Sequence, residues 1–243
     1  GYAWQYGQLL AERYAQNSDL TDFEYSNASV NGNNTLNLLA RFKGHLTGDC
    51  GEYVVIGLGL GNEGLHEAAN KQAVYEQWKT NMQLLISKAQ AEGKTVVATN
   101  NYPRGDYNAD DYNYVKQMNL EMHEWDIPTV NFLGALDNLQ GNGQWADGYQ
   151  VAGDIYHPTT EGHSEFMHTI VPSLFEALEA GKQKPTRQTG EGLQLAAADK
   201  IVFTPEDQPH SFTIAMRIKT DKYGKIGVIN TDDDAIDIEF PQL

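Results

Sequence analysis

Residues 53–60 read Tyr53-Val54-Val55-Ile56-Gly57-Leu58-Gly59-Leu60, and Gly61-Asn62-Glu63-Gly64 follows. A continuous apolar run closed by such a polar stop is the pattern of a strand buried on both faces of a parallel sheet. Downstream, 70–92 has helical periodicity, with Val74, Trp78, Met82, Leu85 and Ile86 inward and Gly93 as a left-handed cap. A second buried strand is expected over 95–98, emptying into the polar loop 99–107. A helix over 109–125 and a third strand over 129–133 come next. Upstream, 3–16 is an amphipathic helix with Ala3, Tyr6, Leu10 and Tyr14 on one face. A short strand at 22–26, a turn-rich loop at 27–34 and a helix over 35–46 follow it. A last helix over 160–180 is expected to kink at Pro172. Strand and helix alternate, so the fold class is α/β with a doubly wound parallel sheet. In such sheets ligands bind beyond the carboxyl ends of the strands. The polar clusters at 27–34, 61–64, 99–107 and 153–158 should therefore share one rim.

The texture changes at Gly181. Residues 1–182 read as the α/β domain. Residues 183–243 read as a linker rich in Gly, Pro, Gln and Lys, then a β-rich segment with short strands near 200–203, 211–219, 225–230 and 235–240. The 243 residues include 33 acidic and 17 basic side chains, a formal net charge of −16. That excess repels phosphate backbones and makes nucleic acid an unfavourable partner. No run of eighteen apolar residues exists to span a bilayer. One cysteine, Cys50, cannot form an intrachain disulfide. Asp106-Tyr107-Asn108-Ala109-Asp110 imitates the start of a calcium loop, but Asp111 stands where glycine is needed and Gln117 where the last carboxylate is needed. Neither a metal nor any other cofactor is expected.

The chemistry concentrates in Gly153-Asp154-Ile155-Tyr156-His157-Pro158. Pro158 pushes His157 out of the helical region, so Asp154 and His157 lie in a loop. A helix capped by Thr159 or Thr160 starts just after. An imidazole with a carboxylate three residues away is a general base with its orienting partner, or equally an incidental surface histidine. His163, inside the helix that follows, reads as a packing residue rather than a catalytic one. The aromatic and amide-rich loops hold Arg104, Trp145 and Tyr156 as candidate substrate contacts, and such rings stack on sugars as well as on one another.

Three blocks in this order resemble those of the SGNH (GDSL-type) hydrolases: Asn27-Ala28-Ser29-Val30-Asn31-Gly32-Asn33-Asn34-Thr35, then Gly59-Leu60-Gly61-Asn62-Glu63, then Asp154-Ile155-Tyr156-His157-Pro158. The resemblance covers roughly residues 1–182 and implies a three-layer, flavodoxin-like sheet. It implies a serine esterase acting on a small acyl ester, with an acetylated carbohydrate as candidate substrate, in a secreted or periplasmic setting. Gly32 through its backbone N–H and Asn62 through its amide would be the oxyanion-hole donors, His157 the base and Asp154 its partner. Read alone, Gly32 also suits a plain turn and Asn62 a turn cap. Glu63 and Leu60 depart from the family's usual aspartate and glycine.

The family's Gly-Asp-Ser nucleophile segment does not occur in the sequence. Gly48-Asp49-Cys50 is the nearest match but lies at the wrong place in the topology, and Ser29 is the least unsuitable hydroxyl. The chain also opens on a helix, where this architecture needs its central first strand. The expectation is that the natural polypeptide begins earlier and carries the serine there. The β-rich tail resembles the opening of a laminin-G or concanavalin-like sandwich, or alternatively is a short β appendage that completes the α/β domain. A different class of function stays open: a carbohydrate-binding protein that keeps the cleft without the nucleophile.

Overall fold

The structure is a computed structural model and describes residues 1–16, 24–45, 51–99, 101–182, 196, 224–230 and 235–240. The sheet of the α/β part has three parallel strands, β1 (Tyr53–Ile56), β2 (Thr95–Thr99) and β3 (Thr129–Val130), in that spatial order. The helices are α1 (Tyr2–Gln16), α2 (Thr35–Ala40), α3 (Phe42–His45), α4 (Lys71–Ala91), α5 (Ala109–Glu124), α6 (Leu133–Leu136), α7 (Thr160–His168) and α8 (Leu174–Glu179).

Strand β2 shows how the layers arise. Successive side chains of a strand point to opposite faces. Val96 and Ala98 enter a core with Trp78, Met82 and Leu85 of α4 and Val115, Met118 and Met122 of α5. Val97 enters a second core with Tyr6 and Leu10 of α1, Leu136 of α6 and Phe166 of α7. Helices therefore cover both faces, as parallel strands with crossover connections require. Helix α4 starts at the Asn70 cap, whose side chain accepts from the Ala73 N–H. It ends at Gly93, held at φ +78° where only glycine sits without strain.

Several boundaries differ from the sequence reading. The apolar run is a strand only to Ile56. Beyond it, Gly57, Gly59 and Gly61 alternate with Leu58 and Leu60 in irregular backbone, because each glycine lets the chain approach a neighbour. A Cβ on Gly57 would fall 2.7 Å from the Thr99 Oγ1, and one on Gly59 2.1 Å from the Asn101 Oδ1. Nor is β1 covered on both faces: it is an outer strand of the described sheet, and Val55 is 48% exposed. The helix expected over 35–46 is broken at Arg41 into α2 and α3. Strand β3 stops at Val130, and Leu133 opens α6 instead. The last helix divides into α7 and α8 around Pro172, a stronger interruption than a kink.

Residues 24–26 form no strand, and the rest of that expected strand lies outside the described residues. So do Cys50 and the expected strands near 200–203 and 211–219. Strands β4 (Gly224–Asn230) and β5 (Ala235–Phe240) pair antiparallel. Among the described residues no helix is long and apolar enough to cross a membrane.

Trp78 is wholly buried, stacks on Trp125 at 5.6 Å between ring centroids, and donates its indole N–H to the Leu58 carbonyl at 2.8 Å. It joins α4 to the irregular backbone that follows β1. Trp78→Ala should cost about 3–5 kcal/mol in urea unfolding; a cost below about 1 kcal/mol would contradict this packing.

Candidate active site

Three chain segments meet at the carboxyl ends of β1 and β2. The first carries Asn62. Its amide nitrogen donates to the Asn33 carbonyl at 2.9 Å, which brings the residue next to Gly32 alongside Asn62. Gly32 sits in an exposed turn at φ +72°, the left-handed region that favours glycine. Glu63, a departure from the resembled pattern, has a structural task. Its carboxylate accepts the Thr35 N–H at 2.7 Å at the start of α2. Asn34 caps the same helix through a reciprocal pair of bonds with Asn37. The Gly32 turn and the Asn62 loop are thus fastened together from two sides. An amide NH₂ has two donors, so one N–H of Asn62 is left over from the bond to Asn33.

Farther along the same loop, His66 Nδ1 meets Asp111 Oδ2 at 2.7 Å, and Lys71 bonds the other oxygen of Asp111. Asp111 is buried at the first turn of α5. Burial pushes its carboxyl up, but the bonds from Lys71 and His66 outweigh that and hold it below the usual carboxylate range.

The second segment is the base loop. Asp154 Oδ1 accepts the backbone N–H of Tyr156 at 2.8 Å and of His157 at 3.2 Å, and Oδ2 lies 2.7 Å from His157 Nδ1. One carboxylate therefore shapes the turn and orients the ring. The N–H of Tyr156 first, and His157 next, hold the Asp154 carboxyl below its ordinary range. With Nδ1 engaged as a donor to Asp154, Nε2 is the atom left to take a proton. The imidazole side chain is 56% exposed. The backbone of this loop is held elsewhere too: Val151 N–H to the His157 carbonyl at 3.1 Å, Gly105 N–H to the Ile155 carbonyl at 2.8 Å, and Gln150 Nε2 to the Asp154 carbonyl at 3.0 Å. Helix α7 then follows, capped by Thr159, whose hydroxyl accepts the Gly162 N–H. Gly162 carries no side chain because a Cβ there would meet Pro158 and the Tyr149 carbonyl at 2.9 Å each.

The third segment, 101–107, lies between the other two. Arg104 bridges them, as its Nη1 donates to the Gly61 carbonyl while its guanidinium faces the Tyr156 ring. Among the three candidate substrate contacts, Arg104 and Trp145 are buried and Tyr156 is 47% exposed. The Trp145 indole N–H lies 3.4 Å from the Ile155 carbonyl, under the base loop. Ser29 lies in exposed irregular chain, its N–H bonded to the Asn27 side chain at 2.9 Å, and nothing links it to His157.

Sequence reasoning passed over Tyr2. It is a half-buried residue whose phenol is pushed up to about 12 by desolvation, and its oxygen lies beneath Gly57. The His163 Nδ1 accepts the Tyr2 N–H at 3.2 Å and so seats the first turn of α1 against α7. That bond needs an unprotonated Nδ1, and burial pushes the His163 imidazole below its usual range. The only signal in the sequence was a histidine one turn into a capped helix.

Residues 1–164 match the family model described as the GDSL-like lipase/acylhydrolase family. Solved structures of similar fold include an acetylxylan esterase from Geobacillus stearothermophilus, with a TM-score of 0.54 and 16% identity over 70% of this chain and 78% of that one. A Bacteroides fragilis protein assigned as an acylhydrolase gives a TM-score of 0.53 and 15% identity over 74% of this chain and 83% of that one. At such identities the likeness speaks to the fold. No curated protein sequence matches the chain.

A His held neutral by the fold takes up its proton less readily than in the unfolded chain. Between its lowered folded value and about 6.5, the unfolded state binds more protons, so stability falls as pH drops through that window. The loss of urea stability between pH 7 and pH 5 should be smaller in His163→Leu than in the parent. An equal loss in both would show that His163 does not titrate as described.

Proposed function

The chain belongs to the GDSL-like lipase/acylhydrolase family, and from that premise we propose that it forms the base and oxyanion side of a serine esterase that removes small acyl groups. The observation that carries this reading is the Asp154–His157 pair, 2.7 Å apart, in a loop that Arg104 joins to the Asn62 loop. In the proposed reaction a serine hydroxyl attacks the ester carbonyl. His157 Nε2 takes the serine proton, and Asp154 stabilises the resulting imidazolium. The negative charge that develops on the carbonyl oxygen is met by the Asn62 amide and the Gly32 N–H. His157 then returns the proton to the leaving alcohol, and water repeats the sequence on the acyl-enzyme. Preorganised donors of that kind are each worth of order 10²–10³ in rate.

The sequence holds no Gly-Asp-Ser, so the attacking serine of this scheme is placed outside residues 1–243. In the similar acetylxylan esterase, variants replacing a serine and an aspartate are catalytic mutants.

The proposed substrate is an acetylated carbohydrate. Two observations favour it over a long-chain lipid ester: the exposed Tyr156 ring beside His157 offers a stacking face for a sugar, and the similar structures include an acetylxylan esterase.

The polypeptide carrying this chain with its upstream residues should release acetate from acetylated xylooligosaccharide and from p-nitrophenyl acetate. His157→Ala should lower kcat by at least about 10³-fold, and Asn62→Ala by about 10²–10³-fold, with circular dichroism unchanged. Full activity in the His157 variant would remove the proposal. Sugar binding without any turnover in the parent would favour the non-catalytic reading.

A further inference from the structure

Arg104 is a buried cation whose partners lie on three different loops. Its Nε and Nη2 grip Asp106 at 3.0 and 2.6 Å, a bidentate fork, and its Nη1 donates to the Gly61 carbonyl at 3.0 Å. Glu67 lies 3.6 Å from Nη2. Its carbon centre stands 4.7 Å from the centroid of the Tyr156 ring and 5.2 Å from that of Tyr107. Gly61 immediately precedes Asn62, and Tyr156 immediately precedes His157.

The surroundings are built for this contact. A Cβ on Gly61 would come 3.1 Å from the Arg104 Cδ, so a side chain there would crowd the guanidinium stem. Tyr107 is buried, and its hydroxyl receives the Asn101 amide at 3.3 Å, while Asn101 in turn lies under Gly59. The Arg104 backbone is fixed as well, through its N–H to the Gly143 carbonyl at 3.1 Å. The fork, the carbonyl bond and the two rings occupy the guanidinium from several directions, which leaves it little to offer a substrate.

We propose that Arg104 is a positioning residue: it sets the separation between the Asn62 amide and the His157 imidazole by holding the residue before each. This deepens the acyl-transfer reading and rests on it for the roles of those two groups. The physical need is geometric. An oxyanion donor and a general base must serve the same ester at once, and a misplacement of about 1 Å costs of order 10²-fold in rate. The loops themselves have no regular structure to supply that precision. A planar, permanently charged guanidinium can fork to a carboxylate, bond a carbonyl and stack on aromatic faces together. An ammonium cannot do all of these.

The test is Arg104→Lys in the full polypeptide, which keeps the charge and loses the planar fork. The expected result is a fall in acetyl-ester kcat of about 10–100-fold with KM within about threefold. Hydrogen exchange should quicken at 59–64 and 153–158 together, with α4 and α5 unchanged. Asp106→Asn, which weakens the fork but keeps its shape, should move the same readouts in the same direction by less, and it replaces the lysine variant should that one not fold. Unchanged kcat, a loss confined to KM, or loosening of only one of the two loops would overturn the proposal. Should the parent show no esterase activity, the acyl-transfer reading falls, and the exchange data alone decide the clamp: joint loosening supports it, and independent behaviour of the loops overturns it.

Discussion

Parallel strands all release the chain at one edge of their sheet, and that constraint governs the rest of this molecule. With β1, β2 and β3 running the same way, the segments after Ile56 and after Thr99 leave on the same side. At β2 helices fill both faces, since it sends Val96 and Ala98 one way and Val97 the other. Segments from distant parts of the sequence then have only the open edge in which to gather. What remains is to hold them still without regular secondary structure, and the structure does this with side chains. Asp154 shapes one loop, Glu63 and Asn62 fasten a second to a third, and Arg104 spans the gap.

The glycines after β1 belong to the same solution. Backbone can approach backbone closely only where no Cβ intervenes. At Gly57 the neighbours are Thr99 and Tyr2, at Gly59 Asn101, and at Gly61 Arg104 and Tyr107. The apolar residues between them are not idle, as Leu60 is fully buried. A stretch that looks like one long strand is therefore a short strand followed by a lattice of close approaches. The departure at Glu63 fits this view, because a longer carboxylate reaches the Thr35 N–H at the start of α2.

Much of this was legible in the sequence because it rests on local rules. Helix α4 could be delimited by its apolar period and by Gly93. The Asp154–His157 loop could be placed by Pro158, and its helix by Thr159. The early stop of β1 was hidden because hydrophobicity alone does not separate a strand from tightly packed irregular backbone. Likewise Leu133 is apolar enough for a strand, yet it starts α6, and only tertiary packing decides between the two. Arg104 was read as a candidate substrate contact, or equally as ordinary loop packing, because it lies in an aromatic and amide-rich rim loop. Beside its near neighbour Asp106, it meets Gly61 and Tyr156, which are 43 and 52 positions away, and no spacing rule links those two to it. The bond from Tyr2 to His163 spans 161 positions and was invisible for the same reason.

The central claim is that Asn62 and His157 act on one acyl group. The most direct measurement is a crystal structure of the full polypeptide after reaction with a p-nitrophenyl phosphonate, whose phosphorus mimics the tetrahedral carbon. The account predicts the phosphoryl oxygen within about 2.7–3.1 Å of the Asn62 amide nitrogen and the Gly32 nitrogen. It also predicts His157 Nε2 within about 3.2 Å of the modified serine oxygen. An adduct that touches neither, or an imidazole turned away on another face of the molecule, would contradict it.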